Sequence, residues 1–236
     1  MVGSEGRPLG GRRISGAFLA TNVYIDGFNL YYGALRRTPY KWLDLANLSQ
    51  RLFPTHVINR IRYFTARVSA LPHDQQVAAR QDVYLRALRT IPAITIHEGF
   101  FLSHATLAPQ YPLAYRPENL PPSRPPQAVQ VLKTEEKGSD VNLATHLLLD
   151  AFRDDFDEAV VMSNDSDLAE PIRVVVNELG KRVTVVNPHF RRAPTRKLLQ
   201  VASSTLRQIN RSALGNSQFP SPMIDASGSF TKPAGW

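Results

Sequence analysis

Residues 158–167 read Glu-Ala-Val-Val-Met-Ser-Asn-Asp-Ser-Asp, and this stretch decides the fold class. Its apolar run from Ala159 to Met162 is continuous and does not alternate with polar residues. A run of this kind is typical of a strand buried on both faces, as in parallel sheets that helices cover on each side. The acidic residues Asp165 and Asp167 follow directly, so acidic side chains are expected at the end of a central strand.

Strand-like and helix-like segments alternate around this stretch. Runs rich in β-branched and aromatic residues predict strands, and apolar residues at helical spacing predict helices. Strands are expected at 22–25, 58–65, 93–101, 158–162, 182–186 and 205–209, and helices at 44–53, 74–90, 139–153, 168–179 and 195–202. This alternation predicts a doubly wound, mostly parallel α/β sheet with helices on both faces.

Two segments interrupt the alternation and set the predicted domain limits. Residues 103–131 contain seven of the 18 prolines, and residues 212–236 are rich in Ser, Gly and Pro. We therefore expect one domain over 21–209 that carries a proline-rich insert at 103–131. A flexible N-terminal extension at 1–20 and a flexible C-terminal tail at 210–236 are expected to flank it.

Composition limits the classes of function. The 236 residues include no cysteine, which excludes disulfide frameworks, thiol nucleophiles and cysteine-ligated metals. There are 28 Lys plus Arg against 20 Asp plus Glu, and the net charge of +8 favours a polyanionic partner such as nucleic acid. No apolar stretch approaches the roughly 20 residues that cross a bilayer, so a soluble, cytoplasmic protein is expected.

Three acidic residues share one predicted location, the carboxyl-terminal rim of the sheet. Asp26 ends the first strand and Asp165 follows the strand at 158–162, so they face each other if these strands are neighbours. Asp140 lies in the first turn of its helix, on the same face as that helix's apolar residues. Converging carboxylates repel one another unless a cation neutralises them, and oxygen ligands select Mg²⁺ or Mn²⁺.

Each acidic residue also has a purely structural interpretation. Asp140 and Asp167 are both suited to capping a helix, and Asp26-Gly27 is a common turn pair. Because all of them lie at one rim of one sheet, their joint placement favours a metal site. Asn29 could bind a phosphate or orient Asp26, and Ser163 could hydrogen-bond a water ligand of the metal.

Three motifs occur in order along the chain: Tyr24-Ile25-Asp26-Gly27-Phe28-Asn29, Lys137-Gly138-Ser139-Asp140-Val141 and Ser163-Asn164-Asp165-Ser166-Asp167. Together they resemble the motifs of the NYN domain family, most closely its bacterial branch, the LabA or DUF88 group related to PIN-domain nucleases. The resemblance covers residues 21–205. It implies a PIN-like α/β fold and metal-dependent ribonuclease chemistry. It also implies metal ligation by Asp26, Asp140 and Asp165, with Asp167 as a further acidic member and Asn29 as the motif asparagine.

Two positions depart from the family pattern. Family members often carry Gly where Asn164 stands, and commonly Asp where His146 stands. Asn adopts positive φ less freely than Gly, so an altered loop is expected at Asn164. His146 lies about 240° around its helix from Asp140, so its side chain is expected to face solvent.

Basic residues are expected to flank the acidic pocket and to contact phosphates. They follow the strand at 182–186 or precede Asp140, and comprise Arg191, Arg192, Arg196, Lys197, Lys133 and Lys137. The proline-rich insert carries aromatic and basic residues that suit either base stacking or a protein partner, namely Tyr111, Tyr115, Arg116 and Arg124.

These features predict a Mg²⁺- or Mn²⁺-dependent endoribonuclease that hydrolyses phosphodiester bonds of single-stranded or structured RNA. Two other classes remain open. One is an RNA-binding or regulatory adaptor whose metal site is weak or inactive. The other is a DNA phosphodiesterase, because nothing in the sequence identifies a contact to a 2′-hydroxyl. The sequence contains no HExxH, GxxxxGK[ST] or GxSxG motif, which argues against zinc proteases, P-loop enzymes and serine hydrolases.

Overall fold

The computed structural model describes residues 19–70, 74–113, 126–206 and 209–236. The strands in these ranges are β1 (Leu19–Asp26), β2 (His56–Ala66), β3 (Ile94–Pro109), β4 (Ala128–Lys137), β5 (Glu158–Met162), β6 (Arg182–Val186), β7 (Ser204–Leu206), β8 (Met223–Asp225) and β9 (Gly228–Phe230). The helices are α1 (Gly27–Leu30), which continues as a π-helical turn (Tyr31–Leu35), α2 (Leu45–Leu52), α3 (Val77–Arg89), α4 (Ser139–Phe152), α5 (Ala169–Asn177), α6 (Arg196–Val201) and α7 (Arg211–Gly215). A single 3-10 turn (Ser166–Leu168) precedes α5.

Seven strands form one sheet in the order β4-β3-β2-β1-β5-β6-β7. All neighbours are parallel except β3 and β4, which are antiparallel. The predicted mostly parallel α/β sheet is therefore confirmed. The chain winds from β1 towards β2 and β3, then returns to β5 on the other side of β1. Ligands of such sheets collect at this switch point, beyond the carboxyl ends of β1 and β5.

The core lies on both faces of the sheet, because successive residues of β1 point to opposite sides. Val23 and Ile25 belong to one apolar cluster, under α2 and α3. Tyr24 belongs to the other, under α4 and α5. Each fully buried large apolar side chain contributes about 1.5–3 kcal/mol. The two clusters therefore fix the central strands, and with them the rim where β1 and β5 end.

The segment predicted as a proline-rich insert begins and ends in the two strands of a β-hairpin. β3 continues to Pro109, and its residues 100–109 pair antiparallel with residues 128–137 of β4. We call these paired residues the β3–β4 arm. The strand prediction ended at Phe101 because most side chains of the arm are exposed on both faces and leave no apolar alternation. Tyr115, Arg116 and Arg124 lie outside the described residues.

The structure corrects the prediction of a flexible tail at 210–236. Phe230 packs against Trp42 with ring centroids 6.4 Å apart and is only 8% exposed. The Asp225 carboxylate accepts hydrogen bonds of 2.7 and 2.6 Å from the Arg86 guanidinium of α3. Leu214, Phe219 and Phe230 of this segment are buried in the apolar cluster under α2 and α3, although Ile224 is exposed.

The ends of the domain differ slightly from the prediction. Residues 1–18 lie outside the described residues, and Leu19 and Ala20 already belong to β1. The last strand of the main sheet is β7 at 204–206 rather than 205–209. None of the helices in the described ranges has both the length and the hydropathy that a bilayer crossing requires.

Candidate active site

Asp26 lies at the carboxyl end of β1 and is 4% exposed. Its Oδ1 accepts a 2.9 Å hydrogen bond from the Asn29 backbone N–H, which caps α1. Its Oδ2 accepts a 2.9 Å hydrogen bond from the Ser163 hydroxyl at the end of β5. Burial raises the pKa of Asp26, although these hydrogen bonds oppose the shift. A Cβ at Gly27 would lie 2.7 Å from the Phe64 carbonyl oxygen, so only glycine permits this turn.

Asp165 follows β5, which is the direct neighbour of β1, as predicted. Its Oδ1 accepts a 2.9 Å hydrogen bond from the Asp167 backbone N–H and so caps the 3-10 turn. Its own N–H donates to the Ser163 hydroxyl oxygen at 3.1 Å. Ser163 is fully buried and therefore links the two strand-end aspartates. The Asp167 side chain is exposed, and Asp165 provides the cap that one interpretation assigned to Asp167.

Asp140 is half-buried in the first turn of α4 and does not cap that helix. The N-cap position is Gly138, whose φ of 99° lies in the left-handed region that favours glycine. The Glu136 carboxylate accepts hydrogen bonds from the backbone N–H and the hydroxyl of Ser139 at 3.1 and 2.8 Å. Burial raises the pKa of Asp140 to about 6, and the charge of Asp26 adds to the shift. Asp165, Glu136 and Asp167 contribute in the same direction.

These carboxylates meet in a cavity of about 260 Å³. It brings together four residues predicted from the sequence with four that were not, and its lining is Asp26, Asn29, Asp140, Asp165, Glu136, Phe28, Tyr32 and Phe101. Asp167 does not line it. Glu136 reaches the cavity because β4 pairs it with Phe101, a register that the sequence pattern did not reveal.

The donor set suits a hard divalent cation, although it is not arranged around one point. Within the described ranges, no three His, Asp or Glu side chains are gathered so that they could hold a metal ion as they stand. Four carboxylates nevertheless line one cavity, and oxygen ligands are those that Mg²⁺ and Mn²⁺ prefer. A cation would relieve the repulsion that raises the Asp140 pKa. Asp26, Asp140 and Asp165 therefore fit such an ion chemically, with Glu136 as a fourth carboxylate.

Asn29 is held by loops from two other strands. Its Oδ1 accepts a 3.2 Å hydrogen bond from the Asn164 backbone N–H and lies 2.9 Å from His189 Nε2. The Asn164 side chain donates to the Ala193 carbonyl and accepts from the Thr195 N–H. Asn164 does not have positive φ, so the expected loop alteration is a bridge between loops rather than backbone strain. His189 was missed because it lies 160 positions from Asn29.

A second cavity of about 470 Å³ lies beside the first and shares Phe28, Asn29, Tyr32 and Asp165 with it. Of the predicted phosphate contacts, only Arg192 lines this cavity. The side chains of the other three residues near α6 are exposed and form no ion pair within the described part of the chain; these are Arg191, Arg196 and Lys197. Lys133 and Lys137 instead both pair with Glu135, at 2.7 and 3.4 Å.

The structure also corrects the prediction that His146 faces solvent. Its ring lies 4.1 Å from the His97 ring and 6.1 Å from the Phe64 ring, measured between centroids. Burial lowers the pKa of His146. β2 and β3 extend beneath this flank of α4, so both flanks of the helix face the sheet, which a helical wheel alone does not indicate.

Comparison with known proteins agrees with this architecture. The family model described as the NYN domain matches residues 20–209. The chain belongs to the NYN domain family. The NYN domain is PIN-like, and its fold is nuclease-like.

Two similar proteins place this NYN chain among known proteins. The 6-hydroxy-3-succinoylpyridine 3-monooxygenase HspA of Pseudomonas putida is 30% identical over 249 residues, which cover 95% of this chain and 78% of HspA. A crystal structure of a protein of unknown function from Vibrio parahaemolyticus superposes with a TM-score of 0.50 and 14% identity. That match covers 84% of this chain and 98% of the other, and it supports the fold alone.

Proposed function

We propose that this NYN protein is a divalent-metal-dependent nuclease that hydrolyses phosphodiester bonds of RNA. The observation that carries the proposal is the convergence of Asp26, Asp140 and Asp165 on one cavity at the switch point of the sheet. Burial and the charges of Asp26 and Asp165 raise the pKa of Asp140, and a cation in the cavity would offset that repulsion. Family membership supports the nuclease class.

The residues of the cavity have distinct roles in this mechanism. A bound Mg²⁺ or Mn²⁺ would supply positive charge for the phosphate oxygens and activate water for in-line attack. Asp26 is held rigidly, because both of its oxygens accept hydrogen bonds and its side chain is buried. Asp140 is only half-buried and can adjust towards the ion. Asn29, whose amide oxygen already has donors, presents its amide N–H groups for donation to Asp26 or to a phosphate.

A phosphodiester substrate also needs cations along its backbone, and the arginines and lysine near α6 supply them. Arg192 lines the cavity beside the carboxylates, and Arg191, Arg196 and Lys197 are exposed nearby in sequence. Cations of this kind track the phosphate backbone and position the strand without reading its sequence.

The decisive experiment is incubation of the purified protein with end-labelled single-stranded RNA and DNA, in Mg²⁺, in Mn²⁺ and in chelator. We expect RNA cleavage that requires metal and that Asp26→Asn and Asp165→Asn abolish. Asp82→Asn on the exposed face of α3 is the matched control, and it is expected to cleave as the wild type does. Metal-dependent cleavage of DNA alone would indicate a DNA phosphodiesterase. Binding without cleavage would indicate an RNA-binding adaptor.

The similarity to HspA supports a second candidate, hydroxylation of a small heteroaromatic compound. HspA is named as a monooxygenase of 6-hydroxy-3-succinoylpyridine, and aromatic side chains line the cavity of this chain beside the carboxylates. A monooxygenase transfers one oxygen atom of O₂ and needs two electrons from a reductant. Incubation with that pyridine, reduced nicotinamide cofactor and air tests this candidate by mass spectrometry. Because C3 of that pyridine carries the succinoyl group, a hydroxyl placed there displaces the side chain as a four-carbon acid. Appearance of a dihydroxypyridine without the side chain supports this candidate, and unchanged substrate removes it.

A further inference from the structure

Three aromatic side chains form one wall of the carboxylate cavity, and we call Phe28, Tyr32 and Phe101 the aromatic shelf. The Phe28 and Tyr32 rings are stacked, with an interplanar angle of 23° and centroids 6.5 Å apart. Phe101 meets the Phe28 ring edge-on at 5.6 Å. Tyr32 is 58% exposed, so part of its ring is accessible from solvent.

The shelf is not explained by packing of the core. Its three rings belong to neither apolar cluster, whereas the adjacent Tyr31 packs against the cluster under α2 and α3. Two of the rings come from the first turns after β1, and the third comes from the base of the β3–β4 arm. Large aromatic surfaces grouped at a cavity mark binding sites more often than isolated exposed rings do.

The charges around the shelf indicate what it binds. The Arg36 guanidinium carbon lies 5.3 Å from the centroid of the Tyr32 ring. Arg192 lines the neighbouring cavity that Phe28 and Tyr32 also line. The shelf shares its own cavity with Asp26 and Asp140. A planar ring on the shelf would therefore have cations within reach of an attached phosphate and carboxylates within reach of the bond to be broken.

We propose that the aromatic shelf stacks an unpaired nucleobase next to the scissile phosphate and so selects single-stranded nucleic acid. Every base offers a π face, so stacking of this kind tolerates any sequence. In a duplex both faces of each base are already covered by neighbouring bases, and the base is open to the shelf only in single strands, loops or ends. This inference rests on the proposed function for the fate of the phosphate, but the stacking itself needs no cleavage.

The test measures binding in chelator, where no cleavage occurs. Two labelled hexanucleotides of equal charge are compared, one of uridine and one with abasic sugars at every position. The wild type is expected to bind the uridine hexamer about 5- to 100-fold more tightly, because only this strand can stack. Tyr32→Ala is expected to lower affinity for the uridine hexamer towards that for the abasic one, and to leave abasic binding unchanged.

Two variants separate stacking from structural damage. Tyr32→Phe keeps the ring and is expected to keep the preference for uridine. Phe152→Ala removes an aromatic ring that is more exposed, at 78%, and lies at the far end of α4; this variant is expected to behave as the wild type. A duplex of the same length is expected to bind Tyr32→Ala and wild type alike.

Several results would overturn the inference. Equal affinity of the wild type for both hexamers, an equal loss of both in Tyr32→Ala, or no measurable binding of either would do so. Stronger competition by free 6-hydroxy-3-succinoylpyridine than by uridine monophosphate would assign the shelf to a small molecule instead. Failure of the proposed nuclease function can be told apart from failure of this inference. A Tyr32-dependent preference for the uridine hexamer can persist in a protein that cleaves no nucleic acid.

Discussion

Arg62 on β2 holds the Asp150 carboxylate of α4 with two hydrogen bonds, 2.7 and 2.8 Å long, and both residues are buried. Arg62 Nη1 also lies 3.2 Å from His97 Nε2. A guanidinium can only donate, so this ring nitrogen must accept and His97 must be neutral. The buried charge pair therefore fixes the protonation state of the histidine beside it.

Acid is expected to destabilise the protein through His97. Burial, with the positive charge of His146 and Arg62, lowers the pKa of His97 to about 4, against about 6.5 for a free histidine. Between these values the unfolded chain binds a proton that the folded chain does not. The contribution of neutral His97 is therefore complete above about pH 6.5, declines as the pH falls and is lost by about pH 4. His97→Gln, which keeps an acceptor for Arg62, should flatten the fall in melting temperature across this window; an unchanged pH profile would contradict this.

Asp140 should act in the opposite direction when metal is absent. The pKa of Asp140 is raised to about 6 in the folded chain. At pH values between the ordinary pKa of an aspartate and about 6, folded Asp140 therefore keeps a proton that the unfolded chain has lost. Its contribution to stability is present in acid and is lost as the pH rises through about 6. In chelator, Asp140→Asn is expected to raise the melting temperature at pH 7.5 and to have little effect at pH 4. Asp82→Asn serves as the control, and equal shifts at both pH values would count against mutual repulsion in the cavity.

Metal binding should be visible as stabilisation of the fold. An ion at about 100 times its dissociation constant stabilises the folded state by about 2.7 kcal/mol. We expect Mg²⁺ or Mn²⁺ to raise the melting temperature of the wild type, and Asp26→Asn or Asp165→Asn to lose most of that increase. Samples in chelator give the baseline melting temperature of each variant. Equal increases in wild type and variants would place the ion elsewhere.

The basic residues near α6 should affect affinity rather than chemistry. Replacing Arg191, Arg192, Arg196 and Lys197 with Ala is expected to weaken RNA binding most at low salt. Each lost phosphate contact should reduce the slope of log affinity against log salt by about 0.7 for a single strand. The pair Lys133→Ala and Lys137→Ala is the comparison, because Glu135 already pairs with both lysines and offsets part of their charge, so a smaller change is expected. An unaltered salt slope in the quadruple variant would mean that the strand runs elsewhere.

The C-terminal segment should contribute strongly to stability. Phe230→Ala removes a ring that is 8% exposed and is expected to cost about 3 kcal/mol, or about 6–12 °C in melting temperature. Ile224→Ala, on the neighbouring strand but 78% exposed, is expected to have almost no effect. Thermal denaturation of both variants checks this. Equally small changes in melting temperature would support a flexible C-terminal tail instead.

Local pattern was enough to predict the parts of the fold that depend on burial. The strands predicted at 158–162 and 182–186 are mostly apolar and match β5 and β6 residue for residue. The proximity of Asp26 and Asp165 could be predicted, because parallel strands present their carboxyl ends at one rim. Asp140 followed from the face of its helix.

The remaining features depend on distant pairing, which a local pattern does not contain. Glu136 and Phe101 enter the cavity only through the register of the β3–β4 arm, where exposed side chains leave no periodicity. His189 reaches Asn29 from a loop 160 positions away. Phe230 was overlooked because the composition of its segment signals turns, although a few buried rings are sufficient to anchor it.

The packing of the C-terminal segment also bears on the order in which the protein can be made. Arg86 and its partner Asp225 are 139 positions apart. At about 5–20 residues per second, a ribosome needs about 7–28 s to synthesise that interval. Throughout it, Trp42 and Tyr84 lack the cover that the rings of Phe230 and Trp236 give them in the folded protein. A cell that makes this protein therefore has a defined interval in which a chaperone on the emerging chain would have the most to protect.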